Sequence, residues 1–145
     1  MLHIFEFIAT ITAAMFAGAA LYINLVEHPA RMALDTKSAA LEWAPSYKRA
    51  TWMQAPLALG SLATGLGSWW MGGGIAWAIA GLLIGAVVPF TFLGIMSTNQ
   101  SLLDKERDFA SPETRELLAK WAKLHAVRTA LSLLAAVVYV WQAVG

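Results

Sequence analysis

Two tetrapeptides hold the residue types best suited to chemistry in this chain: His28-Pro29-Ala30-Arg31 and His125-Ala126-Val127-Arg128. Both read His-x-x-Arg, and each stands where an apolar stretch meets a charged one. Asn24, Glu27, His28 and Arg31 are spaced i, i+3, i+4, i+7, one stripe of a helix. Trp121, His125 and Arg128 repeat that pattern at i, i+4, i+7. Pro29 disfavours helical geometry at His28, so Arg31 is expected to leave the stripe and begin a new segment. A neutral imidazole is a competent general base near neutral pH, and Arg or Asn beside it can hold a developing oxyanion.

The candidate catalytic set is therefore His28, His125, Arg31 and Arg128. Asn24, Gln54, Asn99 and Arg49 are candidate substrate-binding residues, with Trp121 placed to stack on a ring. This equipment suits proton abstraction from an acidic, flat, apolar substrate such as a phenol or an enolisable ketone. The resulting carbanion can reduce dioxygen by itself. The expected partners are a small hydrophobic substrate and dioxygen, and no cofactor is expected.

Other chemistries compete for the same residues. His28, His125 and Glu27 would make a two-histidine, one-carboxylate metal set. Against it, adjacent Glu27 and His28 point about 100° apart on an unbroken helix, and the arginines repel a cation. Haem held by His28 and His125, with arginine on its propionates, is a further redox alternative. A non-enzymatic membrane protein binding a ligand or partner at the same pocket is another. Taken singly, each His reads more plainly as a ring snorkelling to the headgroups and each Arg as an interfacial anchor. The absence of cysteine removes thiolate chemistry. There is no phosphate-binding glycine loop, nucleophile elbow or His-Glu-x-x-His, and no basic-aromatic pattern for nucleic acid. Polar groups gathered at one end suit a pocket better than a channel.

The elements that must position these residues are apolar. Of 145 residues 59% are apolar and 13% charged, against about a quarter charged in a soluble domain. Uncharged runs cover Phe7–Val26, Ala50–Leu103 and Thr129–Gly145. One crossing takes about 20 apolar helical residues, so four spans are expected at about 4–27, 50–71, 75–97 and 124–144. Gly72-Gly73-Gly74 allows only a tight hairpin between the second and third. Trp69, Trp70, Trp77 and Trp141 fit an interfacial belt, while Trp43, Trp52 and Trp121 could line a cavity mouth. All ten Lys and Arg fall in or beside the two longer connections, which places those in the cytoplasm and both termini outside. The N-terminal stretch lacks a basic start and carries His3 and Glu6, so it reads as a retained span and not a signal peptide.

The expected fold is all-α: an antiparallel up-down four-helix transmembrane bundle, one integral membrane domain over 1–145, in the inner membrane if bacterial. Short interfacial helices are expected in the cytoplasmic connections, one near 35–43. Ser111-Pro112-Glu113 reads as a helix start leading into the last span. Pro56 and Pro89 are expected to kink their spans. Ala14/Gly18, Ser61/Gly65 and Gly81/Gly85 are small pairs that let helices approach closely. Packing within one chain is the simpler use for them, and a homo-oligomer face the other.

The string Tyr22-Ile23-Asn24-Leu25-Val26-Glu27-His28-Pro29-Ala30-Arg31 resembles the hallmark of the anthrone oxygenase-like family of small four-span membrane proteins. Thr98-Asn99-Gln100-Ser101-Leu102 and Trp121-Ala122-Lys123-Leu124-His125-Ala126-Val127-Arg128 add to that resemblance. It implies the four-span fold over the whole chain, and for some members oxygenation of anthrones to anthraquinones without a cofactor. It carries no residue-level mechanism.

Overall fold

The computed structural model describes residues 1–145, and the chain is helical apart from short connections, chiefly 33–35 and 104–111, with no strand. Helix α1 covers Leu2–Tyr22, a π-helical turn follows at Ile23–Glu27, and α2 covers His28–Met32. Pro29 does not break this rod. The turn before it widens, so that the His28 N–H bonds to the Ile23 carbonyl, and the wider turn accommodates the ring that would clash in an α-helix. Arg31 therefore stays on the rod with His28, contrary to the expectation that it starts a new segment.

Asp35 caps α3, Thr36–Ser68, accepting from the Ser38 N–H at 3.0 Å. The separate interfacial helix expected near 35–43 is instead the first part of this single 33-residue helix, which runs past Pro45 and Pro56. A π turn, Trp69–Gly73, ends it. Gly72 and Gly74 adopt φ of +93° and +94°, a left-handed geometry that glycine takes without strain. Beyond them α4 covers Ile75–Gly85, α5 Val87–Phe90 and α6 Met96–Leu103, with a π turn at Thr91–Ile95. Regular helix is thus interrupted on both sides of Pro89. Ser111 caps α7, Pro112–Val144, accepting from the Thr114 N–H at 3.2 Å.

Leu2–Met32, Ile75–Leu103 and Pro112–Val144 are long and apolar enough to cross a membrane. These three rods mark an integral membrane protein. Helix α3, which contains the second expected span, is not among them. Gln54, Pro56, Gly60, Gly65, Gly67 and several hydroxyls dilute its apolar half. Those hydroxyls are satisfied internally, as a low-dielectric setting requires. Ser61 donates to the Ala9 carbonyl at 3.0 Å and Thr64 to the Gly60 carbonyl at 2.7 Å.

Helix α1 packs on α3 and α7, and α4 packs on the same two. One core cluster gathers Phe16, Trp77, Ile84 and Tyr139; a second, toward the long connections, gathers Ile23, Trp43, Leu118 and Trp121. Two tryptophans depart from expectation. Trp77 is buried against Tyr139, ring centroids 5.3 Å apart, and not at a surface belt. Trp52 is 84% exposed and lines neither cavity beside His125 and Arg128. Two of the small pairs are used inside the chain: a Cβ on Gly65 would lie 2.0 Å from the Tyr139 hydroxyl, and one on Gly81 3.2 Å from it. Ala14 and Gly18 remain on the outside.

Candidate active site

The π turn and α2 bring Asn24 and His28 against α7 and Glu27 and Arg31 against α3, and His28 and His125 are both buried. They share one neighbour. The indole of Trp121 lies 5.3 Å from the His28 ring and 4.8 Å from the His125 ring, centroid to centroid. Trp43 meets Trp121 edge-on at 5.7 Å and stacks on Tyr47 at 4.9 Å. Asn99 ties the group from α6: its carbonyl oxygen accepts from Trp121 Nε1 at 3.0 Å and its amide donates to the Tyr47 hydroxyl at 3.1 Å.

The hydrogen bonds give the two imidazoles opposite roles. Asn24 Nδ2 donates to the Ala122 carbonyl at 3.1 Å, which turns Asn24 Oδ1 toward His125 Nδ1, 2.8 Å away. An amide oxygen only accepts, so His125 Nδ1 carries the hydrogen and Nε2 holds the lone pair. Thr129 donates to the same Asn24 oxygen. At His28 the ring nitrogen Nδ1 lies 3.1 Å from Arg31 Nη1. A guanidinium only donates, so here Nδ1 is the acceptor and the buried Nε2 carries the hydrogen.

The two arginines differ as sharply. Arg31 is nearly inaccessible and donates to Glu42 through Nε and to Glu27 and Ser46 through Nη2. It closes an ion network between the π turn, α2 and α3. Arg128 has no carboxylate partner. Its Nη2 donates to Gln54 Oε1 at 2.9 Å and its guanidinium lies 5.5 Å over the Phe16 ring. Arg128 Nε and Gln54 Nε2 are buried donors without partners.

His125, Arg128, Gln54, Tyr47, Trp43 and Trp121 are among the residues lining one enclosed cavity of about 10 Å³, room for a single water. A haem does not fit that space. Nor do His28, His125 and Glu27 form a ligand set, because Glu27 is held by Arg31 and Ser46, and no three His, Asp or Glu side chains come together. Arg49 is exposed and lies apart from the buried group, on the rim of a 510 Å³ groove between α1 and α3. Thr98 is buried and Gln100 exposed.

Sequence spacing overlooked Tyr47, Glu42, Ser46 and Thr129. Thr129 lies one turn beyond His125 and Tyr47 one turn beyond Trp43, so same-face spacing held the signal for both. The pairing of Glu42 and Ser46 with Arg31 had no local signal. Arg115 was likewise unreadable: it reaches the Leu34 carbonyl at 2.9 Å, and also that of Met32, capping the end of α2 across the fold.

No solved structure matches this chain. The chain is 38% identical over 69 residues to the curated Anthrone oxygenase tpcL of Aspergillus fumigatus, an alignment covering 46% of this chain and 43% of that protein. It thus spans less than half the length of that relative. The pattern of the family described as Anthrone oxygenase matches residues 43–138, a segment containing Trp43, Gln54, Asn99, Trp121, His125 and Arg128 but neither Asn24 nor His28. On that match, which runs from α3 into α7, the chain belongs to the anthrone oxygenase family.

Proposed function

We propose that this protein is a membrane-embedded oxygenase in which His125 removes a proton from a hydrophobic, anthrone-like aromatic substrate near the cytoplasmic interface. One observation carries the reading: Asn24 holds His125 Nδ1–H, leaving the Nε2 lone pair free on a buried ring that lines a cavity beside Arg128 and Gln54. Family membership and the substrate named for its relative supply the class of substrate.

His125 Nε2 takes one methylene proton of the anthrone and leaves an enolate, whose oxygen the nearby cation stabilises. The enolate passes one electron to dioxygen, and the radical pair joins through a new carbon–oxygen bond. His125 returns its proton to give a hydroperoxide. Loss of the second methylene proton then breaks the oxygen–oxygen bond, so that methylene plus dioxygen become carbonyl plus water. The substrate supplies all the electrons, and no step draws on a metal or haem. Trp121 packs against both imidazoles and fixes their planes, while His28, bound to Arg31, is a positioning residue.

The proposed setting is an up-down four-helix transmembrane bundle, with the second half of α3 as its fourth crossing. Lys48 and Arg49 at one end of that segment and Trp69 and Trp70 at the other support this. The test is dioxygen uptake by the purified protein with anthrone. Stoichiometric uptake with anthraquinone formed, lost in His125→Gln at equal expression, is the expected result. Uptake no faster than the buffer control would overturn the reading.

A further inference from the structure

Beside the small cavity lies a second one, of about 130 Å³, walled by apolar residues that include Phe16, Val87, Val88, Phe92 and Met96. The two share Tyr47, Thr51 and Arg128. We propose that this chamber takes one aromatic ring of the substrate and that Arg128, on the wall the two cavities share, and Gln54, bonded to it from the small cavity, hold the ionised oxygen on that ring. The ligand class is thus an aromatic phenolate or enolate; the proposal deepens the oxygenase reading and rests on it only for the identity of the substrate.

Charge, donors and volume all point to this occupant. Arg128 carries a cation into the protein without any carboxylate to neutralise it, whereas Arg31 has two. A cation removed from water without a counter-charge is costly, and a bound anion relieves that cost. Gln54 gives its oxygen to Arg128 and so turns its amide hydrogens away from the guanidinium. Together with Arg128 Nε that makes two buried donors with nothing to donate to, and an oxyanion is an acceptor that would satisfy them. The guanidinium is steadied over Phe16, itself a wall of the chamber. A dry cavity of about 150 Å³ accepts benzene, so one ring fits and the remaining rings must extend outward. Phe92 at the outer wall is 64% exposed, and Thr51 and Ala55 beside it are exposed too. Access is therefore sideways, from the lipid.

The test is equilibrium binding to the protein in nanodiscs of two probes, 1,8-dihydroxyanthraquinone, which carries ionisable oxygens, and anthracene, which has none. Arg128→Met is expected to weaken the phenol at least about tenfold, the worth of one charge-assisted hydrogen bond, and to leave anthracene unchanged. Val87→Trp fills the chamber and is expected to weaken both. Thr51→Trp, at the exposed rim, gives the same block should Val87→Trp fail to fold, and Gln54→Leu replaces Arg128→Met in the same way. Lys120→Gln, on the outer face of α7, leaves both probes at wild-type affinity. Wild-type binding of the phenol in folded chamber and Arg128 variants overturns the proposal. If binding responds as stated but anthrone is not oxygenated, the oxygenase reading falls and the chamber stands. If anthrone is oxygenated equally well by wild type and the chamber variants, the reverse holds.

Discussion

At the scale of single residues the two histidines, alike in sequence, diverge because their Nδ1 atoms face different partners. His125 faces an amide oxygen and keeps a lone pair on Nε2; His28 faces a guanidinium and has spent its lone pair on Nδ1. His125→Gln is therefore expected to lower the rate of anthrone oxygenation by about 10²–10⁴, the usual worth of a general base. His28→Gln is expected to retain most of it. Asn24→Leu releases the His125 ring and is expected to lower kcat by up to about 100-fold with KM little changed, as steady-state oxygen-electrode kinetics would show. Equal losses in the two histidine variants would contradict this assignment. Arg31→Met removes the bond to His28 and its donation to Glu27 and Glu42. Stability should fall by about 2 kcal/mol, in the range for hydrogen bonds to charged groups, read as a lower unfolding midpoint in detergent.

At the scale of elements, much was legible in the sequence and some was not. The uncharged runs announce the apolar rods, and Ser111-Pro112-Glu113 announces the start of α7. The stripe Trp121, His125, Arg128 lies on an unbroken helix and reads directly, whereas the stripe at Asn24–Arg31 crosses a π turn. Proline rules alone predict a break there, and the wider turn that avoids it has no simple signature in residue types. The length of α3 is hidden in the sequence for a related reason. Its first half is polar and its second half apolar, which reads as two pieces, yet nothing between Asp35 and Ser68 stops the helix. The roles of Arg31 and Arg128 could not be separated from sequence, since Glu42 and Gln54, which distinguish them, lie on another helix. Close helix approach supplies the prediction at this scale. Gly65→Ala places a methyl where the Tyr139 hydroxyl sits, and overpacking of this kind costs about 1–3 kcal/mol. Thermal unfolding should show a clear drop for Gly65→Ala and little for Gly18→Ala, whose added methyl meets nothing.

At the scale of the whole molecule, the four proposed crossings deliver polar groups to one end, where substrate would arrive from the lipid and dioxygen needs no dedicated path. The distribution of Lys and Arg predicts that this end is cytoplasmic. The natural sequence lacks cysteine, so single cysteines report sidedness cleanly. A membrane-impermeant maleimide should label Ala143→Cys in intact cells, and Lys105→Cys only after lysis; the opposite pattern would invert the topology. Within the proposed reaction, His125 takes a proton from the substrate before oxygen is involved. Hydrogen–deuterium exchange at the methylene of anthrone, followed without dioxygen in D₂O buffer, reads that step alone. The wild-type protein should accelerate exchange and His125→Gln should not. Exchange at the buffer rate with wild-type protein that still oxygenates anthrone in air would rule out His125 as the base.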